Sequence, residues 1–100
     1  MRLNEFEIKS IKDLAQLHFG NDVKVILFGS RTSYTKRGGD IDLFISKQSG
    51  DKPDIRSKIN FITDLIIRIG EQKIDVVLDH PSLHKSKFLN TINTTGIPIC

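Results

Sequence analysis

Two aspartates one residue apart, Asp40 and Asp42, and the turn-forming triplet Gly29-Ser30-Arg31 are the residues of this chain best suited to chemistry. Nine residues separate Ser30 from Asp40. Alternate side chains of an extended segment share a face, so Asp40 and Asp42 would stand side by side. Two such carboxylates repel each other unless a cation lies between them. Magnesium favours hard oxygen donors of this kind and keeps positions for water and substrate phosphate. Gly29 lets the backbone turn tightly or approach another group, and Ser30 suits the N-cap of a short helix beginning at Arg31. Free N–H groups at such a helix start suit a phosphate. An anion cradle beside metal-binding carboxylates points to phosphoryl or nucleotidyl transfer. Asp75, inside the apolar run Lys73-Ile74-Asp75-Val76-Val77-Leu78, has two readings. It is an edge-strand residue facing water, or a further carboxylate of the same site on a neighbouring strand; strands disfavour aspartate, and burying it unpaired is costly.

The elements that must hold these residues follow from hydrophobic spacing. Val23–Phe28 and Ile41–Ile45 are short, β-branched and aromatic runs, hence strands, with Ile41, Leu43 and Ile45 on the face opposite the aspartates. Asn4 and Glu7 form a capping box for a first helix, Leu3 and Ile8 a hydrophobic staple, and Gly20 a stop. Its apolar stripe is Ile8, Ile11, Leu14, Ala15 and His18, with His18 a packing or boundary residue rather than a ligand. Ser46–Pro53 is polar and turn-forming, a surface loop. A second helix repeats Ile55, Ile59, Ile62, Ile66 and Ile69, with Leu65 widening the stripe, Phe61 and Ile67 on its flanks, and Gly70 at its end. After the third strand, Ser82 can cap a last helix carrying Leu83, Phe88, Leu89 and Ile92. Ile97-Pro98-Ile99 follows, fit for a sheet edge where proline is tolerated. His80 and His84 are expected to be exposed.

From Val23 to Leu78 these residues resemble the minimal nucleotidyltransferase domains of the DNA polymerase beta superfamily. More narrowly, they resemble the MNT antitoxins that pair with HEPN-domain toxins. The resemblance rests on Gly29-Ser30-Arg31, on Asp40-Ile41-Asp42 and on Asp75; the spacing is one residue shorter than the commonest in the family, with Gly38 and Gly39 to absorb the difference. It implies an α+β fold, a small mixed β-sheet with helices mainly on one face. It also implies a magnesium-dependent enzyme that transfers AMP from ATP to a hydroxyl, such as a tyrosine's, of a partner HEPN toxin, and so acts as an antitoxin. In that scheme Asp40 and Asp42 hold two magnesium ions, and Gly29 and Ser30 hold the outer phosphates. Arg31 steadies the polyphosphate or packs locally. Asp75 completes the second metal site or accepts the proton of the attacking hydroxyl. So small a chain leaves the acceptor to a partner, which implies a hetero-oligomer.

Composition narrows the remaining classes. One hundred residues with 38% hydrophobic content suffice for one domain, 1–100, without disulfides. The lone cysteine, Cys100, excludes a disulfide framework within the chain and suits a reducing cytoplasm. No apolar run approaches a membrane span, and the N-terminal residues lack the pattern of a signal peptide. A net charge of +3 favours approach of an anionic nucleotide but does not mark a binder of long nucleic acid. Lys36 and Arg37 beside the motif are a solvated loop or an aid to phosphate binding. Two other functions stay open from sequence: an antitoxin that neutralises its partner by contact alone, and a small-molecule nucleotidyltransferase completed by a second chain.

Overall fold

A computed structural model describes residues 3–29, 41–84 and 86–100. Helix α1 (Glu5–Phe19) begins as its capping residues dictate. The Glu7 N–H donates to Asn4 Oδ1 at 2.8 Å, and the Asn4 N–H donates to Glu7 Oε1 at 3.0 Å. Strands β1 (Val23–Phe28) and β2 (Ile41–Lys47) follow, then helix α2 (Ile55–Ile69), capped by Asp54, and strand β3 (Ile74–Leu78). The chain ends in helix α3 (Lys87–Thr95) and the two-residue strand β4 (Ile97–Pro98).

The sheet runs β3-β2-β1-β4. β1 pairs antiparallel with both β2 and β4, whereas β2 and β3 are parallel and joined by α2 as the crossover. Alternation divides each strand. Val25 and Leu27 of β1, Leu43 and Ile45 of β2, and Ile74 and Val76 of β3 face one core with Ile11 and Leu14 of α1 and Phe61 and Leu65 of α2. The other face carries Asp42 and Asp75; α3 lies above β1, and Phe44 of β2, beside Ile26, is buried there too. There a Cβ on Gly96 would overlap Ile26 Cγ2, and the Phe88 ring meets Phe28 edge-to-face at 5.6 Å. This is the expected mixed sheet with helices mainly on one face.

Three expectations need correction. On α2 the core face is centred on Phe61 and Leu65 rather than on the isoleucines, of which Ile62, Ile66 and Ile69 pack against the core only partly buried. Phe61 and Leu65 are fully buried, whereas Ile55 and Ile59 are 66% and 59% exposed. Burial of Phe61 and Leu65 sets this orientation. On the α1 side, His18 Nε2 lies 2.7 Å from Asp64 Oδ2, and the His18 ring packs against Phe61. At 3.6 residues per turn, Ile62 and Ile66 then border the core on the other side of Phe61 and Leu65, and Ile55 and Ile59 turn to water. His18 is thus the boundary residue expected. The last helix begins at Lys87 and is capped by Ser86, not Ser82. The Ser82 N–H donates to His80 Nδ1, and Pro81–Leu83 closes as a single 3-10 turn; Ser86 Oγ donates to Leu83 O at 2.7 Å, ending it. Finally, β2 continues through Ser46 and Lys47, so the surface loop begins only at Gln48.

The rotation of α2 has a measurable consequence. Phe61→Ala is expected to lower the unfolding free energy by about 3–5 kcal/mol through the lost burial and the cavity left behind. Ile59→Ala, at an exposed position, should cost less than about 1 kcal/mol. Denaturant titration of both variants checks the difference; equal losses would contradict this packing.

Candidate functional site

The site residues within the described segments meet at one end of the sheet. Gly29 directly follows β1, Asp42 is the second residue of β2, and Asp75 is the second residue of β3. Register sets Phe28 opposite Asp42 and Asp42 opposite Asp75, giving one row across three strands on the face turned away from α1 and α2. Adjacent strands are about 4.8 Å apart, so the two carboxylates are neighbours. Asp42 is half-buried and Asp75 exposed.

Gly29 is constrained twice. Its φ of +77° lies in the left-handed region that side chains disfavour. A Cβ there would also overlap Asp42 Oδ2 and come within 3.1 Å of Asp42 Cγ. The turn backbone therefore lies directly against the Asp42 carboxylate. What the sequence offers as a cradle is one wall of the carboxylate site itself.

Asp75 has the exposure of an edge-strand residue and a place beside Asp42. β3 is the outer strand of the sheet, so Asp75 faces water as an edge residue does, and it also stands beside Asp42. Its charge is not buried, so tolerating aspartate in this strand requires no metal. Ser30, Arg31 and Asp40, together with Lys36 and Arg37, lie outside the described residues. Among the described residues, no group of three or more His, Cys, Asp or Glu side chains is arranged to hold a metal ion. Asp42 and Asp75 nevertheless form a pair of hard oxygen donors on adjacent strands, a donor set that suits magnesium.

The two remaining histidines are held locally. His84 Nε2 pairs with Asp79 Oδ1 at 3.0 Å, and His80 Nδ1 lies 2.9 Å from Ser82 Oγ. A cleft of about 420 Å³ opens nearby, lined by Lys52, Pro53, Asp54, Ile55, Leu78, Asp79 and His80. It sits where β3 ends and α2 begins, at the opposite end of the strand from Asp75. Sequence reasoning did not anticipate it, because it forms only when the loop before α2 meets the residues after β3. No helix among the described residues is long and apolar enough to cross a membrane.

No protein-family model matches the chain, and no curated protein matches it. Among solved structures it is similar to a chain in the crystal structure of a toxin–antitoxin pair, MntA–HpeT, carrying two aspartate-to-glutamate changes. The TM-score is 0.68 at 19% identity, and the match covers 98% of this chain and 73% of that one. At that identity the likeness shows the fold alone: the chain shares the α+β architecture of that chain, a small mixed sheet with helices mainly on one face.

Proposed function

We propose that this chain is a magnesium-dependent nucleotidyltransferase that moves AMP from ATP to a hydroxyl, such as a tyrosine's, on a partner HEPN toxin, and thereby acts as an antitoxin in the cytoplasm. The observation that carries this reading is the row Asp42–Asp75 with the Gly29 backbone packed against Asp42. The similar solved structure is itself of a toxin–antitoxin pair, which supports a toxin as the partner.

In this reading Asp40 and Asp42 hold two magnesium ions and Gly29 and Ser30 bind the outer phosphates, with Arg31 beside them. Magnesium supplies charge neutralisation and orientation for the triphosphate. The acceptor oxygen bonds to the α-phosphorus as the bond to the bridging oxygen breaks, and pyrophosphate leaves. Asp75 is exposed on the outer strand, so an acceptor reaching the site from solvent meets it. Its carboxylate takes the proton from the acceptor hydroxyl, a role in keeping with its position beside Asp42.

The deciding experiment is incubation of the chain with ATP, magnesium and the product of a neighbouring toxin gene, followed by intact-mass measurement. The partner should gain AMP. Asp42→Asn, which removes one charge and little volume, should abolish the gain while leaving the circular dichroism spectrum unchanged. Asp75→Asn should also abolish transfer, yet retain most ATP–magnesium binding, because Asp40 and Asp42 remain. An unmodified partner in cells that nonetheless survive toxin expression would reject the transferase reading in favour of neutralisation by contact.

Gly29 tests the cradle separately. Gly29→Ala should lower stability by about 1–2 kcal/mol from the left-handed backbone alone. Displacement of the Asp42 carboxylate should weaken magnesium–ATP binding as well. Thermal melting and calorimetric titration read the two effects. Parent-like ATP affinity in this variant would place the phosphates elsewhere.

A further inference from the structure

We propose that Phe88, at the start of α3, is the platform on which the purine base of the nucleotide stacks. The inference rests on the transferase reading and names how the base half of that substrate is held.

Position carries the first part of the argument. Phe28 and Asp42 are partners across the β1–β2 ladder, so their side chains share the site face one strand spacing apart. The Phe28 ring meets the Phe88 ring with centroids 5.6 Å apart and ring planes at 89°. Gly29, whose backbone lies against the Asp42 carboxylate, directly follows Phe28. The aromatic pair therefore begins where the phosphate-holding turn begins. A nucleotide with its phosphates at Gly29 and Asp42 needs only the length of its ribose to bring the base to Phe88.

The ring itself is free to take a base. In an edge-to-face pair each ring gives the other an edge or a single face, so Phe88 keeps at least one face that Phe28 does not use. Phe88 is also 38% exposed. The other large exposed hydrophobics among the described residues are Phe6, Leu17, Ile55, Ile59 and Ile67. All of these belong to α1 and α2, which cover the opposite face of the sheet. Phe88 alone among them stands on the carboxylate face. A purine presents a flat π-surface, and such surfaces stack on aromatic side chains.

The helix holds the ring in place before any ligand arrives. On one side of Phe88, Ser86 Oγ accepts the Leu89 N–H at 3.3 Å and caps α3. On the other, Ile92 is buried, and Gly96 lies so close to β1 that a Cβ would overlap Ile26 Cγ2. A preorganised aromatic group binds without the cost of ordering it. Strand order adds a reason for this direction. Phe88 lies on the β1 side of Asp42 and Asp75 on the β3 side. A base stacked on Phe88 leaves the space over Asp75 open to the acceptor hydroxyl.

Calorimetric titration of the full chain with two ligands, each with magnesium, tests the proposal. One is ATP; the other is ribose 5-triphosphate, which carries the sugar and phosphates without the base. The parent should bind ATP at least about fivefold more tightly. Phe88→Leu keeps an apolar side chain against Phe28 but has no ring. It should erase the preference for ATP while leaving the affinity for ribose 5-triphosphate unchanged. Phe88→Trp, which restores a ring, should keep the preference. In the parent, ATP should shift the ring-proton resonances of Phe88, and ribose 5-triphosphate should not. Should Phe88→Leu fail to fold, that shift decides: ring protons that ATP leaves unmoved overturn the proposal. Equal affinity of the parent for the two ligands also overturns it, as does a preference for ATP that survives Phe88→Leu; both leave the transferase reading standing. Binding of neither ligand removes the proposal and the transferase reading together.

Discussion

The apolar face shared by β1, β2 and β3 is the constraint on which the candidate site depends. Leu43 and Ile45 are fully buried, and Ile74 and Val76 nearly so, beneath α1 and α2. Because strand side chains alternate, burying those residues forces Asp42 and Asp75 to the opposite face. A one-residue slip of either strand would drive an aspartate into the core and an aliphatic residue into water. The carboxylate pair is therefore placed by the hydrophobic effect acting on its neighbours, and needs no mutual attraction to persist. This resolves how two like charges can stand together in the fold: each strand is fixed from its other side.

Gly29 joins that constraint to the turn. The strand must leave the sheet where β1 passes Asp42, and any side chain there would meet the carboxylate. Glycine adopts the φ of +77° that side chains disfavour and yields the space. The left-handed turn and the close approach thus have one cause, the proximity of Phe28 to Asp42 in the antiparallel register.

Strand and helix existence was legible in the sequence because local rules decide it. The Asn4–Glu7 capping box and the alternation of Ile41, Leu43 and Ile45 were readable without tertiary knowledge, and the structure has both. The orientation of α2 was not. Its isoleucine spacing defines an apolar stripe but not which structure covers it, and the His18–Asp64 contact joins residues 46 positions apart. The environment of Asp75 was hidden for a similar reason. Whether an aspartate in an apolar strand is buried depends on strand order, and only the order β3-β2-β1-β4 puts β3 outermost. Ser82 misled because a histidine two residues earlier caps its N–H in a turn too short to grow into a helix.

The same strand order divides the site face into a dry half and an open half. Above β1, α3 covers the sheet: Ile92 is buried, Gly96 touches Ile26, and Phe88 packs on Phe28. Above β3, Asp75 is exposed, and Asp42 between them is half-buried. The carboxylate row thus runs from an apolar wall to open solvent, with the dielectric surroundings changing along its length. Electrostatic interactions strengthen toward the covered end, where less water screens them. A cation would be attracted most strongly at Asp42, and an anion repelled most strongly there. The fold therefore sets a half-buried carboxylate, Asp42, one strand spacing from an exposed one, Asp75.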